Sequence, residues 1–334
     1  MNKILTGIRT TGSLHLGHYI GALKLWKKMQ DEGKYQCFFL LADLQALTTH
    51  TQNPEMLKQT IYDITLDWLS IGLDPKLANV NFVLQSQVKS RYQITTLFQM
   101  IAKYNEVMRN PTLKSELKKQ KNASIGFMVY PVDQVADIFM ISSENLEEKI
   151  LVPVGEDQSP HIEYANDLTE RFNKKYQRIF GQCQSLVGEI GRLVGIDGQN
   201  KMSKSLNNTI NLNDSTKVVK EKVFKMYTDP NRIKVTDPGT VINNPVFIYH
   251  DAFNPNKEEI VDLKNRYLVG KVGDVEVKQK LFLALENFLQ PIRERRNQFK
   301  LSEIKNLIVD GTEQAEKLCS QTVRRMQEAM KLGI

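Results

Sequence analysis

Cysteine is scarce in this chain: Cys37, Cys183 and Cys319 are the only three among 334 residues. They are too few and too scattered for a disulfide framework, and none stands in a CxxC pair, which argues against a zinc site. A reducing compartment fits this usage. Long hydrophobic runs are missing too. None approaches the roughly 20 residues needed to cross a bilayer, so no membrane association is expected. The N-terminus enters an apolar stretch, Ile4 to Ile8, without the charged start and cleavage site of a secretory leader. The expected location is the cytoplasm. There is no internal repeat and no low-complexity tract. Charge of one sign is only mildly in excess, 45 Lys and Arg against 38 Asp and Glu, net +7. That favours polyanionic partners weakly and excludes little.

What is present reads as an ordinary globular chain, 41% apolar and 25% charged. Its length supports one large domain or two smaller ones. In the first half, short apolar runs alternate with helical patterns. Lys3–Ile8, Cys37–Leu41, Asn81–Leu84 and Ile150–Val154 read as buried strands. Helices are predicted from about His18, with Ile20, Leu23 and Trp26 on one side, and after Asn53-Pro54, where Leu57, Ile61, Ile64 and Trp68 recur at helical spacing. Such alternation predicts an α/β fold, a Rossmann-type parallel sheet with helices on both faces. Ligands bind such sheets beyond the carboxyl ends of the strands. The lysine-rich segment Lys114–Gly126 reads as an exposed loop.

After about Ser205 long helical patterns take over. Lys278–Leu289 is one, expected to kink or end at Pro291. Thr312–Met330 is another, with Ala315, Leu318, Cys319, Thr322, Val323, Met326 and Met330 along an apolar face that reads as core. The expected organisation is a catalytic domain over 1–205, with a connecting insertion around 90–150, and a helical domain over 206–334.

Two motifs carry chemistry. Gly12-Ser13-Leu14-His15-Leu16-Gly17-His18 lies between the first strand and the first helix. Gly12 and Gly17 allow close approach of backbone to a nucleotide. The helix N-terminus offers free N–H groups to phosphate, and His15 and His18 can donate hydrogen bonds to phosphate oxygens as charge develops. HxGH is short, and other adenylyl-transferring enzymes carry it. Downstream, Lys201-Met202-Ser203-Lys204-Ser205 places two lysines where they can reach a triphosphate as point charges, with serine hydroxyls beside them. Alone, this motif is equally well a basic surface turn. Together with HxGH at a strand end, the bland reading becomes remote.

HLGH with KMSKS resembles the class I aminoacyl-tRNA synthetases. TGSLHLGHYIGAL, LADLQALT, MRNPTLKSE, YPVDQVADI, VPVGEDQSPHIEYANDLTERFN, GRLVGIDGQNKMSKSLNN and PIRERR narrow the resemblance to the bacterial tryptophanyl-tRNA synthetase family. These stretches span nearly the whole chain.

The resemblance implies activation of L-tryptophan by ATP with Mg²⁺, then transfer to tRNA(Trp). It also implies a homodimer and anticodon recognition by the helical region, for which Arg293–Arg296 is one candidate contact and a solvated helix face the plainer reading. His15, His18, Lys201 and Lys204 would be catalytic. ATP would be held by Arg9, Thr10, Thr11, Gly17 and His18 on one side and by Lys201, Met202, Ser203, Lys204 and Ser205 on the other. Gly155, Glu156, Asp157 and Leu193 would meet its adenosine portion. Asp137 would accept the indole N–H of tryptophan. Leu5, Val152 and Val154 would wall the ring, although such residues are core in almost any fold of this class. Tyr130 and Gln158 would hold the amino group, and Gln134 would complete the tryptophan site. No protein metal site is expected.

Two positions depart from the family. Thr10 replaces a usual proline. Asp133 replaces a small or apolar residue and puts a second carboxylate near Asp137. Two other readings stay open: a tyrosine-specific ligase of the same architecture, and a non-catalytic paralogue that binds tRNA or tryptophan.

Overall fold

The computed structural model describes residues 1–118, 122–155, 158–186, 193–200, 202–203, 206–229 and 232–333. Five parallel strands form one sheet: β1 (Lys3–Arg9), β2 (Gln36–Ala42), β3 (Val80–Leu84), β4 (Ile150–Pro153) and β5 (Cys183–Leu186), in the order β3-β2-β1-β4-β5. The chain builds outward from β1 on one side and then returns to its other side. The strand order therefore reverses between β1 and β4, and the crevice beyond their carboxyl ends is where such a sheet takes its ligand. Thr6 ties these strands together there, its Oγ1 donating to the Pro153 carbonyl at 2.7 Å. Gly7 has no room for a side chain, since a Cβ would stand 2.5 Å from the Leu40 carbonyl of β2.

The strands are near-continuous apolar runs because both faces are covered. On one face Ile4, Cys37, Phe39 and Phe82 pack with Trp26, Trp68 and helices of the second half of the chain. On the other, Leu5, Phe38, Leu40 and Val152 pack with the helix Ile125–Phe139 and with Ala315, Cys319, Val323 and Met326 of the last helix. Helix starts follow local chemistry. Asn53 caps Pro54–Ser70 by accepting from Met56 N–H, Asn110 caps Pro111–Leu117 and Ser124 caps Ile125–Phe139.

Three expectations need correction. The Lys114–Gly126 segment is not one exposed loop. Its first residues lie in the helix Pro111–Leu117, with Leu113 buried, and its last open the helix at Ile125. The helix expected to break at Pro291 runs uninterrupted from Asp274 to Arg296. An interior proline costs about 3 kcal/mol, while each buried apolar side chain contributes about 1.5–3 kcal/mol. Leu289 and Ile292 flank the proline and are buried. The last helix starts at Leu301, eleven residues before Thr312. Its Ile304 and Ile308 are buried, and Gly311 lets it approach β3 closely.

Candidate active site

The first strand ends at Arg9, and Thr11 N–H turns back onto the Arg9 carbonyl at 2.8 Å. Gly12 then takes a φ of +118°, a region closed to most side chains. His15 follows as the residue before a short helix, Leu16–His18, continued by a π-helical turn, Tyr19–Leu23. The His15 N–H donates to His18 Nδ1 at 3.1 Å, and the two rings lie 3.7 Å apart. Gly17 sits under this pair. A Cβ there would meet the His15 ring at 2.9 Å and Met202 Sδ at 3.3 Å.

The second motif comes to the first. The Gly17 N–H donates to Met202 Sδ at 3.3 Å. Leu16 N–H donates to the Ile210 carbonyl, and Leu212 N–H to the Leu14 carbonyl. Met202 N–H in turn reaches the Leu193 carbonyl, so Leu193 and Met202 share the core beneath the turn. Ser203 is fixed by its N–H to Asn208 Oδ1 at 2.7 Å, and Asn208 leans on Asp197 at 3.1 Å. Lys201, Lys204, Ser205, Glu156 and Asp157 lie outside the described residues. Gly155 is exposed beyond the end of β4, with its carbonyl accepting from Gln158 N–H.

The residues expected to wall the ring fall in the core cluster on one face of the sheet. Leu5, Val152 and Tyr130 are buried in one cluster, and Val154 packs against it. Burial pulls the Arg9 guanidinium below its ordinary pKa, with Glu116 opposing. Burial, then Glu116, which accepts the Tyr130 hydroxyl proton, raises the Tyr130 phenol. His161, given no role from sequence, is buried with Nε2 at 3.4 Å from the Tyr130 hydroxyl. Arg9 Nε, Thr10 Oγ1 and Gln134 Oε1 are among the buried side-chain atoms with no hydrogen-bond partner among the described residues.

Asp137 is buried, and its two oxygens accept from Gln85 Nε2 at 3.0 and 2.8 Å and from Arg91 Nε. Burial pushes its pKa up to about 6, with Arg91 opposing and Asp133 adding. Asp133 shares the same arginine. Asp133 ion-pairs with Arg91 Nη2 at 2.5 Å and accepts from Thr95 Oγ1 at 2.9 Å. Burial disfavours the Arg91 charge, but Asp137 and Asp133 together outweigh it and hold the guanidinium above its usual range. Asp133 thus serves Arg91, while Asp137 occupies the inner position. A carboxylate has about four lone-pair sites, so Asp137 retains acceptor capacity.

Gln85, Arg91 and Glu116 were not picked out from sequence. Each is an ordinary polar residue locally, and only the folded sheet edge places it on a pocket residue. The arginines of PIRERR also surprise. Arg296 pairs with Asp67 and Asp63, Arg295 donates to the Ser70 carbonyl, and Arg293 pairs with Glu286. The other Asp67 oxygen accepts Leu14 N–H at 3.0 Å. Glu294 and Arg295 remain exposed, while Arg296, through Asp67, links the helix Asp274–Arg296 to the HxGH turn.

The family model of class I tRNA synthetases for tryptophan and tyrosine matches residues 1–290. The chain is 42% identical over 344 residues to the tryptophan–tRNA ligase of Chlamydia caviae, covering 100% of this chain and 97% of that one. The chain belongs to the tryptophanyl-tRNA synthetase family. A second family member, the tryptophan–tRNA ligase of Clostridium longisporum, is 40% identical over 98% of this chain and 96% of its own. Among solved structures, the tryptophanyl-tRNA synthetase of Campylobacter jejuni, complexed with ADP and tryptophan, superposes with a TM-score of 0.87 at 30% identity. It covers 99% of this chain and 100% of that one. The Rossmann-type sheet is thus that of a tryptophanyl-tRNA synthetase, and the chain is an aminoacyl-tRNA synthetase. Among the described residues no helix is long and apolar enough to cross a membrane.

Proposed function

We infer that this chain joins L-tryptophan to tRNA(Trp) in two steps. The tryptophan carboxylate attacks the α-phosphorus of ATP, a bond forms between carboxylate oxygen and phosphorus, and the bond to the departing pyrophosphate breaks. A hydroxyl of the terminal ribose of tRNA then attacks the carbonyl of the adenylate and releases AMP. The nucleophile of the first step is already ionised, so catalysis rests on positioning and charge stabilisation. Mg²⁺ enters on the phosphates of its ATP substrate, its usual mode of binding.

The observation that carries this reading is the meeting of HxGH with the KMSKS segment at Gly17 and Met202, with the buried carboxylate Asp137 on a helix that packs in one cluster with Leu5 and Val152. Arg9, Thr10, Thr11, Gly17 and His18 would line one side of ATP, with Lys201 to Ser205 on the other. Gly155, Glu156, Asp157 and Leu193 would meet its adenosine portion. His15, His18, Lys201 and Lys204 would stabilise the charge that develops on the phosphates. Asp137 would accept the indole N–H, with Leu5, Val152 and Val154 along the ring. Tyr130, Gln134 and Gln158 would hold the polar end of the amino acid. Residues 206–334 would read the anticodon. Met100, Tyr104 and Ile125 stand exposed on the insertion between β3 and β4, apolar surface that suits a second copy of the chain. The enzyme would work in the cytoplasm, where its tRNA is.

Charging of tRNA with labelled tryptophan by the purified chain, with light scattering to weigh it, tests this reading. Tryptophanyl-tRNA formed by a particle of twice the chain mass is expected. Charging with tyrosine, or tRNA binding without charging, would overturn it.

A further inference from the structure

The carboxylate of the tryptophan pocket is held by residues that are themselves held from outside the sheet. Gln85 and Arg91, which bind Asp137, flank the turn that leaves β3 and opens the helix Arg91–Gln99. The last helix, Leu301–Met330, lies along this turn and beyond the family-matched region. Gly311 removes the side chain that would otherwise stand 2.3 Å from the Phe82 carbonyl of β3. Thr312 Oγ1 accepts from Leu84 N–H at 3.0 Å, immediately before Gln85. One turn later, Glu316 accepts from Ser90 N–H at 3.1 and 3.3 Å and from the Ser90 hydroxyl. A carboxylate on the N-terminal residue of a helix is favoured by both hydrogen bonding and the helix dipole. Ser90 has no side-chain cap of its own on that helix. Arg91, the next residue, is 1% exposed and bridges Asp133 and Asp137.

We propose that Glu316 is a positioning residue for tryptophan recognition, fixing the start of the helix Arg91–Gln99 and, through Arg91, the orientation of Asp137. Glu316 touches no substrate. It sets where Arg91 enters the pocket wall, and Arg91 sets which edge of Asp137 faces the indole. The inference rests on Asp137 being the indole acceptor.

The test is amino-acid-dependent pyrophosphate exchange with Glu316→Gln and Glu316→Ala, beside Asp137→Asn and Ile304→Ala. Weakening one charge-assisted hydrogen bond corresponds to about tenfold in an equilibrium constant. The KM for tryptophan in both Glu316 variants is expected to rise on that scale, with kcat and the KM for ATP within about twofold of wild type. Ile304→Ala opens a cavity under the start of the same helix, where Ile304 is buried, and leaves the Leu84 and Ser90 hydrogen bonds in place; it is expected to lower Tm while leaving the tryptophan KM unchanged. An unchanged tryptophan KM in both Glu316 variants, with Asp137→Asn raising it, would overturn the inference and leave the pocket reading intact. An equal rise in Ile304→Ala would overturn it too, by reducing the effect to general looseness. An unchanged tryptophan KM in Asp137→Asn would overturn the pocket reading, and the inference with it. If the Glu316 variants do not fold, Ser90→Ala, which removes only the hydroxyl contact, carries the same expectations.

Discussion

Asp137 shows how one residue gains its chemistry from its surroundings. Removed from water, a carboxylate resists ionisation, and burial raises its pKa to about 6; the Arg91 cation and the Gln85 amide keep it ionised at neutral pH. The ionised form is the stronger acceptor for a buried indole N–H. The KM for tryptophan should therefore rise as pH falls through about 6, and the Asp137→Asn variant should lose that dependence while binding tryptophan about tenfold or more weakly at neutral pH. Steady-state pyrophosphate exchange between pH 5 and 8 checks both. For stability the sign is opposite. A raised carboxyl pKa favours the folded state at low pH and disfavours it as pH rises through the folded value. Gly17 is the second decisive residue. Gly17→Ala would press a methyl group against His15 at 2.9 Å. The expected result is about a tenfold or larger loss in kcat/KM for ATP, because small displacements of reacting groups are costly. A circular dichroism melt should show little change in Tm, since the turn is only partly buried.

At the scale of elements, the helices after residue 206 are fastened to the sheet at particular points. One is the approach of Gly311 to the backbone of Phe82 in β3. Gly311→Ala would force these elements apart and is expected to cost about 1–3 kcal/mol, seen as a lowered urea midpoint. These helices are also fastened to one another, as at His250 in the helix Pro245–Phe253, wholly buried, with Nε2 against the Val277 carbonyl at 3.0 Å and Nδ1 against Asn254 at 3.1 Å. Burial lowers its pKa below 6.5. A depressed histidine pKa gives stability that is full above the unfolded value and lost as pH falls through the folded one. Unfolding free energy should thus fall below about pH 6.5, and His250→Gln should flatten that slope. Denaturant titrations at pH 7.5 and 5 would show it.

For the whole molecule, the strands were legible in the sequence because apolar runs between helical patterns have few other uses. So were the two motifs, since their glycine, histidine and lysine spacings answer to phosphate chemistry. The supports were not. Gln85, Arg91 and Glu316 come from three separate stretches, and nothing local in any of them marks a partner so far along the chain. The pairing of Arg296 is hidden for the same reason, since its partners Asp63 and Asp67 lie more than 200 residues earlier. Pro291 was read as a breaker because local cost is visible in sequence and the packing that offsets it is not. The described residues nonetheless converge on one crevice, where the ends of β1 and β4 and the HxGH turn stand together. Labelled pyrophosphate exchange into ATP, with each of the twenty amino acids in turn and no tRNA, tests that account most directly. It predicts exchange with tryptophan alone, sharply reduced in Asp137→Asn; exchange driven by tyrosine, or by no amino acid at all, would contradict it.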